Sequence, residues 1–402
     1  MRSVSEHQAF VADLVTARPA ETLPLAAAEG LVLAADVVAP LSLPVFDNSA
    51  MDGYAVHADD VDGASAENPV RLPVAADIPA GRTDALTLTP GTAHRIMTGA
   101  PLPAGATAVV PVESTDGGTK VVTISAAARA GQHLRHAGED VTAGTTVLHT
   151  GQLVTPAALG LAAALGVRQL TVRPRLRVVV MSTGTELVAP GAPLLPGQIY
   201  ESNAVMLAAA VRDAGAEVIA SAMTGDDVGE FRAVLTTHLD DADLVITTGG
   251  VSAGAYEVVK DALGGEVEFV KVAMQPGMPQ GAGRIPHAGR TIPIITLPGN
   301  PVSALVSFEV FIRPVLRRAQ GLAQAARRQH DAVLTESLTS PRGRRQFRRG
   351  VLDAEAGTVT SYGPPASHHL RWLASANVLL EIDEDVTEID AGSTVRVWDL
   401  TT

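Results

Sequence analysis

Apolar positions change their period along the chain and divide it into regions. Residues 3–17 carry Phe10, Val11, Leu14 and Val15 at helical spacing, and Arg18-Pro19 closes the segment, which predicts a first helix. From Leu23 to Leu148 short runs of Val, Leu and Ile, such as 70–74, 106–112 and 120–124, are broken by Pro, Gly, Asn and Asp. That pattern predicts an all-β region, with Asp116-Gly117-Gly118 as a hairpin turn between the last two runs. A helix over 156–165, stopped by Gly166, and a run over 167–172 serve as a connector.

From Leu176 the signal is stronger. The run 176–182 is almost continuously apolar, as expected of a strand buried on both faces. Glu201-Ser202-Asn203 caps a helix that ends at Ala214 and Gly215; strand 217–222, helix 228–239 and strands 243–247 and 291–297 follow. The segment 298–301 then opens a helix through Leu316 that Pro314 must kink. Strands alternating with helices predict a parallel sheet covered on both faces, with ligands beyond the carboxyl ends of the strands. Strand-like runs at 346–352, 358–361, 378–381 and 394–398 form a separate small β domain.

Composition narrows the function. The 402 residues suffice for two to three domains at roughly 150 residues each. A chain that is 46% hydrophobic and 18% charged is not generally disordered. It has no cysteine, which removes disulfides, thiolate nucleophiles, iron–sulfur clusters and Cys-ligated zinc. The net charge of −13 has the wrong sign for a nucleic-acid partner. The apolar stretch 157–167 falls short of the roughly 18 residues of a membrane span. The start, MRSVSEHQAF, has no apolar block or cleavage site, so a cytoplasmic location is expected. No Walker A loop, GxGxxG or HExxH is present, which disfavours P-loop ATPases, nicotinamide dehydrogenases and zincins.

Several clusters carry chemistry or ordinary turn structure. Residues 46–54, FDNSAMDGY, hold two carboxylates, an amide and a hydroxyl, all of them also common turn formers. Arg135 to Asp140 place cation and acid together, either as a surface ion pair or as oxygen ligands for Mg²⁺. Three loops, 182–186, 224–227 and 247–252, each follow a strand; their glycines let backbone N–H groups approach an anion and their hydroxyls can donate to phosphate. The five arginines of 341–349 either face an anion or keep a hairpin edge soluble.

FDNSAMDGYAV (46–56), RIMTGAPLP (95–103), AGED (137–140), STGTEL (182–187), TTGGVS (247–252) and LPGNPVSA (297–304) together resemble the molybdopterin molybdenumtransferase (MoeA) family, which includes the E domain of gephyrin. The resemblance implies a multidomain α/β plus β fold. Residues 1–24 and 145–175 would form an elongated linker and dimerisation domain, 25–144 an inserted β domain, 176–326 a molybdopterin-binding α/β domain and 327–402 a small β barrel. It implies a homodimer whose cleft lies between the α/β domain of one subunit and the β domain of the other, and a transient contact with molybdopterin adenylyltransferase. The family reaction takes adenylylated molybdopterin and molybdate, cleaves the phosphoanhydride with Mg²⁺, and releases AMP.

By similarity, Asp52, Thr98, Asp140, Glu186 and Asp226 are the functional residues of the cleft, and Glu186 and Glu257 hold the metal. Arg135, Ser182, Thr183, Gly249, Gly250, Ser252, Lys271, Pro298, Pro301, Arg349 and Ser367 fall at substrate-binding positions. The chain departs from the family in four places: Gln275 and Met278 stand where lysines are common, Glu257 replaces the usual aspartate, and Thr185 replaces an acid often seen before Glu186. Two rival readings follow: a molybdopterin adenylyltransferase, which would not need residues 23–148 or the C-terminal barrel, and a cofactor-binding scaffold that has lost turnover.

Overall fold

The computed structural model describes residues 1–250 and 258–401. The chain forms two compact units, one of Leu23–Glu29 and Ala35–Leu170, the other of Met1–Thr22, Gly30–Ala34 and Thr171–Thr402. The first helix, α1 (Val4–Leu14), begins with a reciprocal cap: Ser3 Oγ accepts from the Glu6 N–H at 3.1 Å and Glu6 Oε2 accepts from the Ser3 N–H at 2.7 Å. Its buried face is Val4, His7, Val11 and Leu14.

In the unit of residues 35–170, strands β1 (Gly53–Val56), β2 (Val70–Ile78), β3 (Ala93–Ile96), β4 (Ala108–Pro111) and β5 (Val121–Ile124) form one sheet in the order β4-β1-β3-β2-β5. Helix α2 (Pro156–Ala164) has Thr155 as its N-cap, the hydroxyl accepting from the Ala158 N–H. The hairpin expected around Asp116-Gly117-Gly118 does not join neighbouring strands, because β4 and β5 lie at opposite edges of the sheet. A 3₁₀ turn at Val112–Ser114 ends β4, and the Asp116 carboxylate, accepting from the N–H groups of Gly118 and Thr123, reverses only a short stretch of chain. The run after the turn pairs instead with β2, Val70 opposite Ile124.

The other unit carries a six-stranded sheet. Strands β6 (Arg177–Thr183), β7 (Glu217–Thr224) and β8 (Leu244–Thr248), with helices α3 (Asn203–Asp213), α4 (Val228–Thr236) and α5 (Val258–Leu263), are followed by β9 (Val267–Lys271), β10 (Pro279–His287) and β11 (Arg290–Leu297). The order is β7-β6-β8-β11-β10-β9. The four strands read from the sequence are mutually parallel; β10 runs antiparallel to β11, and β9, antiparallel to β10, completes that edge. No apolar run marks β10. A Cβ at Gly281 would strike the side chains of Thr296 and Phe269, and one at Gly283 the backbone of Glu266, so close strand packing demands glycine there.

The helix after β11 is interrupted as Pro314 requires. Helices α6 (Pro301–Ser307) and α7 (Arg313–Ala319) are joined through a π-turn, Phe308–Ile312. Pro314 has no N–H for the carbonyl of Val310, four residues back, and that carbonyl accepts from Gln8 Nε2 at 3.2 Å instead.

The C-terminal strands β12 (Gln329–Leu334), β13 (Arg345–Asp353), β14 (Thr358–Ser361), β15 (Val378–Ile382) and β16 (Thr394–Asp399) close on themselves in the ring β13-β14-β12-β16-β15. Among the described residues the ring closes this small barrel, and the start of β13 also takes Met274–Gln275 in parallel, Met274 opposite Arg345 and Gln275 opposite Gln346. That pairing sets the segment 274–279 beside the arginines of 344–349.

Candidate functional site

The carboxyl ends of β6, β7, β8 and β11 open into a cavity of ≈ 1060 Å³ within one unit, with the 274–279 segment, Arg344 and residues 365–368 completing its wall. Ligand sites of open α/β sheets occupy this edge. Of the residues singled out by sequence, Thr183, Glu186, Asp226, Gly249, Gly250, Pro298, Pro301 and Ser367 line it. Ser252 and Glu257 lie outside the described residues.

The glycines act differently from expectation. The Gly184 N–H donates to the Thr224 carbonyl at 3.1 Å and the Gly249 N–H to the Leu297 carbonyl at 3.2 Å. Both continue hydrogen bonding between neighbouring strands and are not available to an anion. What Gly249 supplies is space: its φ of +90° is left-handed, and a Cβ would lie 2.5 Å from the Thr183 carbonyl oxygen.

The acids are held by hydroxyls and amides. Asp226 Oδ2 accepts from the Thr185 N–H at 3.2 Å and from its hydroxyl at 2.8 Å, so the threonine that stands in place of a familiar acid clasps the next loop. Ser182 is buried behind the cavity and donates to Glu201 Oε1 at 2.8 Å; the same oxygen takes the Ala204 N–H at 2.7 Å. Glu201 is itself buried and lines the cavity. Asn203 Nδ2 donates to the Gly299 carbonyl at 2.7 Å, fixing the loop of Pro298 and Pro301 to the start of α3.

Two expected anion contacts are not in the wall. Lys271 is exposed at the end of β9, and the Arg349 guanidinium is buried, donating to the carbonyls of Pro364, Ala366 and His369. Arg349 thereby fixes the backbone that carries Ser367. Glu201, Asn203 and Arg344 were not singled out by sequence reading. Glu201 and Asn203 read as helix-cap chemistry, which Glu201 also performs by accepting from the Ala204 N–H, and Arg344 was one of five undifferentiated arginines. The useful signal was an acid directly before a helix that follows a buried strand and a polar loop.

The other unit carries the remaining candidates. Asp52 Oδ1 accepts from the Thr98 N–H at 2.6 Å and from its hydroxyl at 2.8 Å. These bonds, the backbone N–H first, together with the charge of Arg95, hold the Asp52 carboxyl below the usual carboxylate range. Arg135 is exposed on a two-residue strand opposite Asn48. Asp140 is exposed, and its backbone N–H donates to the Leu43 carbonyl; Glu139 accepts from the His136 N–H.

Among the described residues no three His, Asp or Glu side chains converge as a metal-binding group. Mg²⁺ commonly takes only one or two carboxylates, completing its shell with water and substrate phosphates. Glu186 and Asp226, oxygen donors on adjacent loops of one cavity, fit that demand.

A mixed α/β sheet with its cavity at the strand ends, an all-β region preceding it in the chain and a closed small barrel after it define the class. Family profiles match in the same order: the MoeA N-terminal region (domain I and II) over residues 2–166, a probable molybdopterin binding domain over 179–318 and the MoeA C-terminal region (domain IV) over 331–400. Molybdopterin molybdenumtransferase 2 of Mycobacterium tuberculosis is 68% identical over 409 residues, covering 100% of both chains. Molybdopterin molybdenumtransferase 1 of the same organism is 38% identical, covering 99% of this chain and 98% of its own. A crystal structure of the molybdopterin biosynthesis MoeA protein from Pyrococcus horikoshii superposes with a TM-score of 0.81 at 29% identity, covering 99% of this chain and 98% of that one. The chain belongs to the molybdopterin molybdenumtransferase family, transferase enzymes of molybdenum cofactor biosynthesis.

Proposed function

We propose that this chain transfers molybdenum from molybdate to adenylylated molybdopterin, cleaving the phosphoanhydride and releasing AMP, with Mg²⁺, as a cytoplasmic homodimer. The observation that carries the reading is the cavity itself: Glu186 and Asp226 face one chamber with Ser367 and the Pro298–Pro301 loop. A phosphoanhydride needs its charge offset while it is cleaved, and a divalent ion, when bound, would supply that Lewis acidity. Glu186 and Asp226 would hold it, with Glu257 as a further candidate ligand.

The protein's own groups orient the substrate. Thr185 fixes Asp226, Asn203 fixes the Gly299 carbonyl, and Arg349 fixes the 364–369 backbone that carries Ser367. Positioning of this kind lowers the entropy cost of bringing two anionic reactants together. Asp52 with Thr98, Arg135 and Asp140 are assigned to the same reaction by family position, and a transient contact with the adenylyltransferase that supplies the substrate belongs to this reading.

The test is AMP release from adenylylated molybdopterin by the full chain with Mg²⁺, with and without molybdate. Molybdate-dependent release with formation of active cofactor is expected. Tight binding without release would assign a scaffold instead, and release independent of molybdate would overturn the transferase reading.

A further inference from the structure

The cavity's charge balance leaves a question that its loops do not answer. Its described wall carries three carboxylates, Glu186, Glu201 and Asp226, while both reactants proposed for it are anions. The N–H groups of Gly184 and Gly249 are bonded to strand carbonyls. Gln275 and Met278, both in the wall, bring no charge. Lys271 lies outside the wall, and Arg349 is occupied by backbone carbonyls. Among the described lining residues, Arg344 is the one lysine or arginine.

Its neighbour Arg345 is neutralised by Glu381 and Glu384, at 3.3 and 3.0 Å. Arg344 is half-buried and has no hydrogen-bond or ion-pair partner among the described residues. The pairing of Gln275 opposite Gln346 brings the uncharged segment alongside the start of β13, so Arg344 stands close to where that segment lacks charge.

We infer that Arg344 binds a tetrahedral oxyanion of the substrates, supplying the cation that the 275–278 segment lacks. A planar guanidinium offers paired donors to two oxygens of such an anion and keeps its charge beside carboxylates. The inference rests on the proposed function and adds a residue to it. The oxyanion is either free molybdate or a phosphoryl group of the adenylylated pterin.

Steady-state AMP release by Arg344→Ala and Arg344→Lys, with each substrate varied in turn, separates the two sources. Loss of a charge-assisted contact predicts a KM raised about tenfold or more in Arg344→Ala, with kcat within about twofold. Arg344→Lys should recover part of the loss, since it restores charge but not the paired donors. A rise for molybdate alone assigns the free oxyanion, and a rise for the pterin alone assigns its phosphoryl group. Unchanged KM values for both overturn the inference. Thermal unfolding of Arg344→Ala should match wild type, because no internal partner is lost.

If the wild-type chain releases no AMP, the functional reading fails by itself. Equilibrium dialysis of molybdate and of inorganic pyrophosphate then decides Arg344 alone. Binding about tenfold weaker in Arg344→Ala supports it, and equal or absent binding overturns it.

Discussion

Two faces of the α/β region hold ionisable groups in opposite ways. At the cavity, Glu201 and Asp226 each receive two donors, from Ser182 and Ala204 and from Thr185, which fix the orientation of the carboxylates. Under α1, His7 is fully buried with neither ring nitrogen hydrogen-bonded, its ring meeting Phe311 edge-on at 4.7 Å. Burial, reinforced by the charge of Arg2, pushes its pKa down to about 4, so it packs as a neutral ring. The acids of the cavity are fixed in orientation by donors, whereas the histidine packed under α1 has none and gives up its charge.

The largest test of that distinction removes charge and leaves shape. Asp52→Asn and Asp226→Asn keep an oxygen that the threonine donors can reach, so folding should survive. AMP release should nevertheless fall by about 10²-fold or more if the charges act on substrate or metal. Full activity in either variant would return that residue to ordinary turn chemistry.

Arg349→Ala probes a group buried for positioning. It strands the carbonyls of Pro364, Ala366 and His369, and a stability loss of about 3 kcal/mol is expected in denaturant titration. AMP release should weaken with it, because the backbone carrying Ser367 loses its tether. If Arg349→Ala instead raised only a substrate KM at unchanged stability, Arg349 would be a direct anion ligand and the division of labour with Arg344 would fall.

Much of this arrangement was legible in the sequence. The parallel strands were marked by continuous apolar runs, six cavity-lining residues by family motifs, and Asp226 and Ser367 by family position outside them. Antiparallel β10 was hidden because its glycines answer to neighbouring side chains and backbone that no local pattern records. The turn at 116–118 reverses the chain and sets Thr115 opposite Ile124, but the two runs it separates do not pair, because partner choice was decided by β2. Arg344 and Arg349 differ by five positions in one arginine-rich run, yet one lines a cavity and the other is buried among carbonyls. Only the pairing of β13 with its neighbours separates them.

The neutral histidine makes a pH prediction. A His whose folded pKa lies near 4 while its unfolded pKa is near 6.5 binds fewer protons when folded between those values. Its share of stability is therefore complete above about pH 6.5 and is lost as pH falls toward 4. About 2 kcal/mol should disappear between pH 7 and 5, read by denaturant titration at both values. His7→Phe, which fills the same apolar site without titrating, should flatten that part of the profile. An unchanged slope would mean that His7 takes a proton in the folded chain.

The smallest expected effect asks whether the threonine clasp is itself a mark of function. Asp36 accepts from the Thr150 N–H at 2.7 Å and from its hydroxyl at 2.9 Å, nearly the geometry of Asp52 with Thr98. The same bonds hold its carboxyl below the usual range. No family motif includes Asp36, and it is exposed. The clasp orients a carboxylate at a loop closure whether or not a ligand comes there. Asp36→Asn keeps an acceptor for both Thr150 donors and should leave AMP release and both KM values unchanged, with at most a slight fall in melting temperature. Loss of activity matching that of Asp52→Asn would show that the clasp serves catalysis indirectly, by fixing backbone, and that the charge of Asp52 is not what the reaction uses.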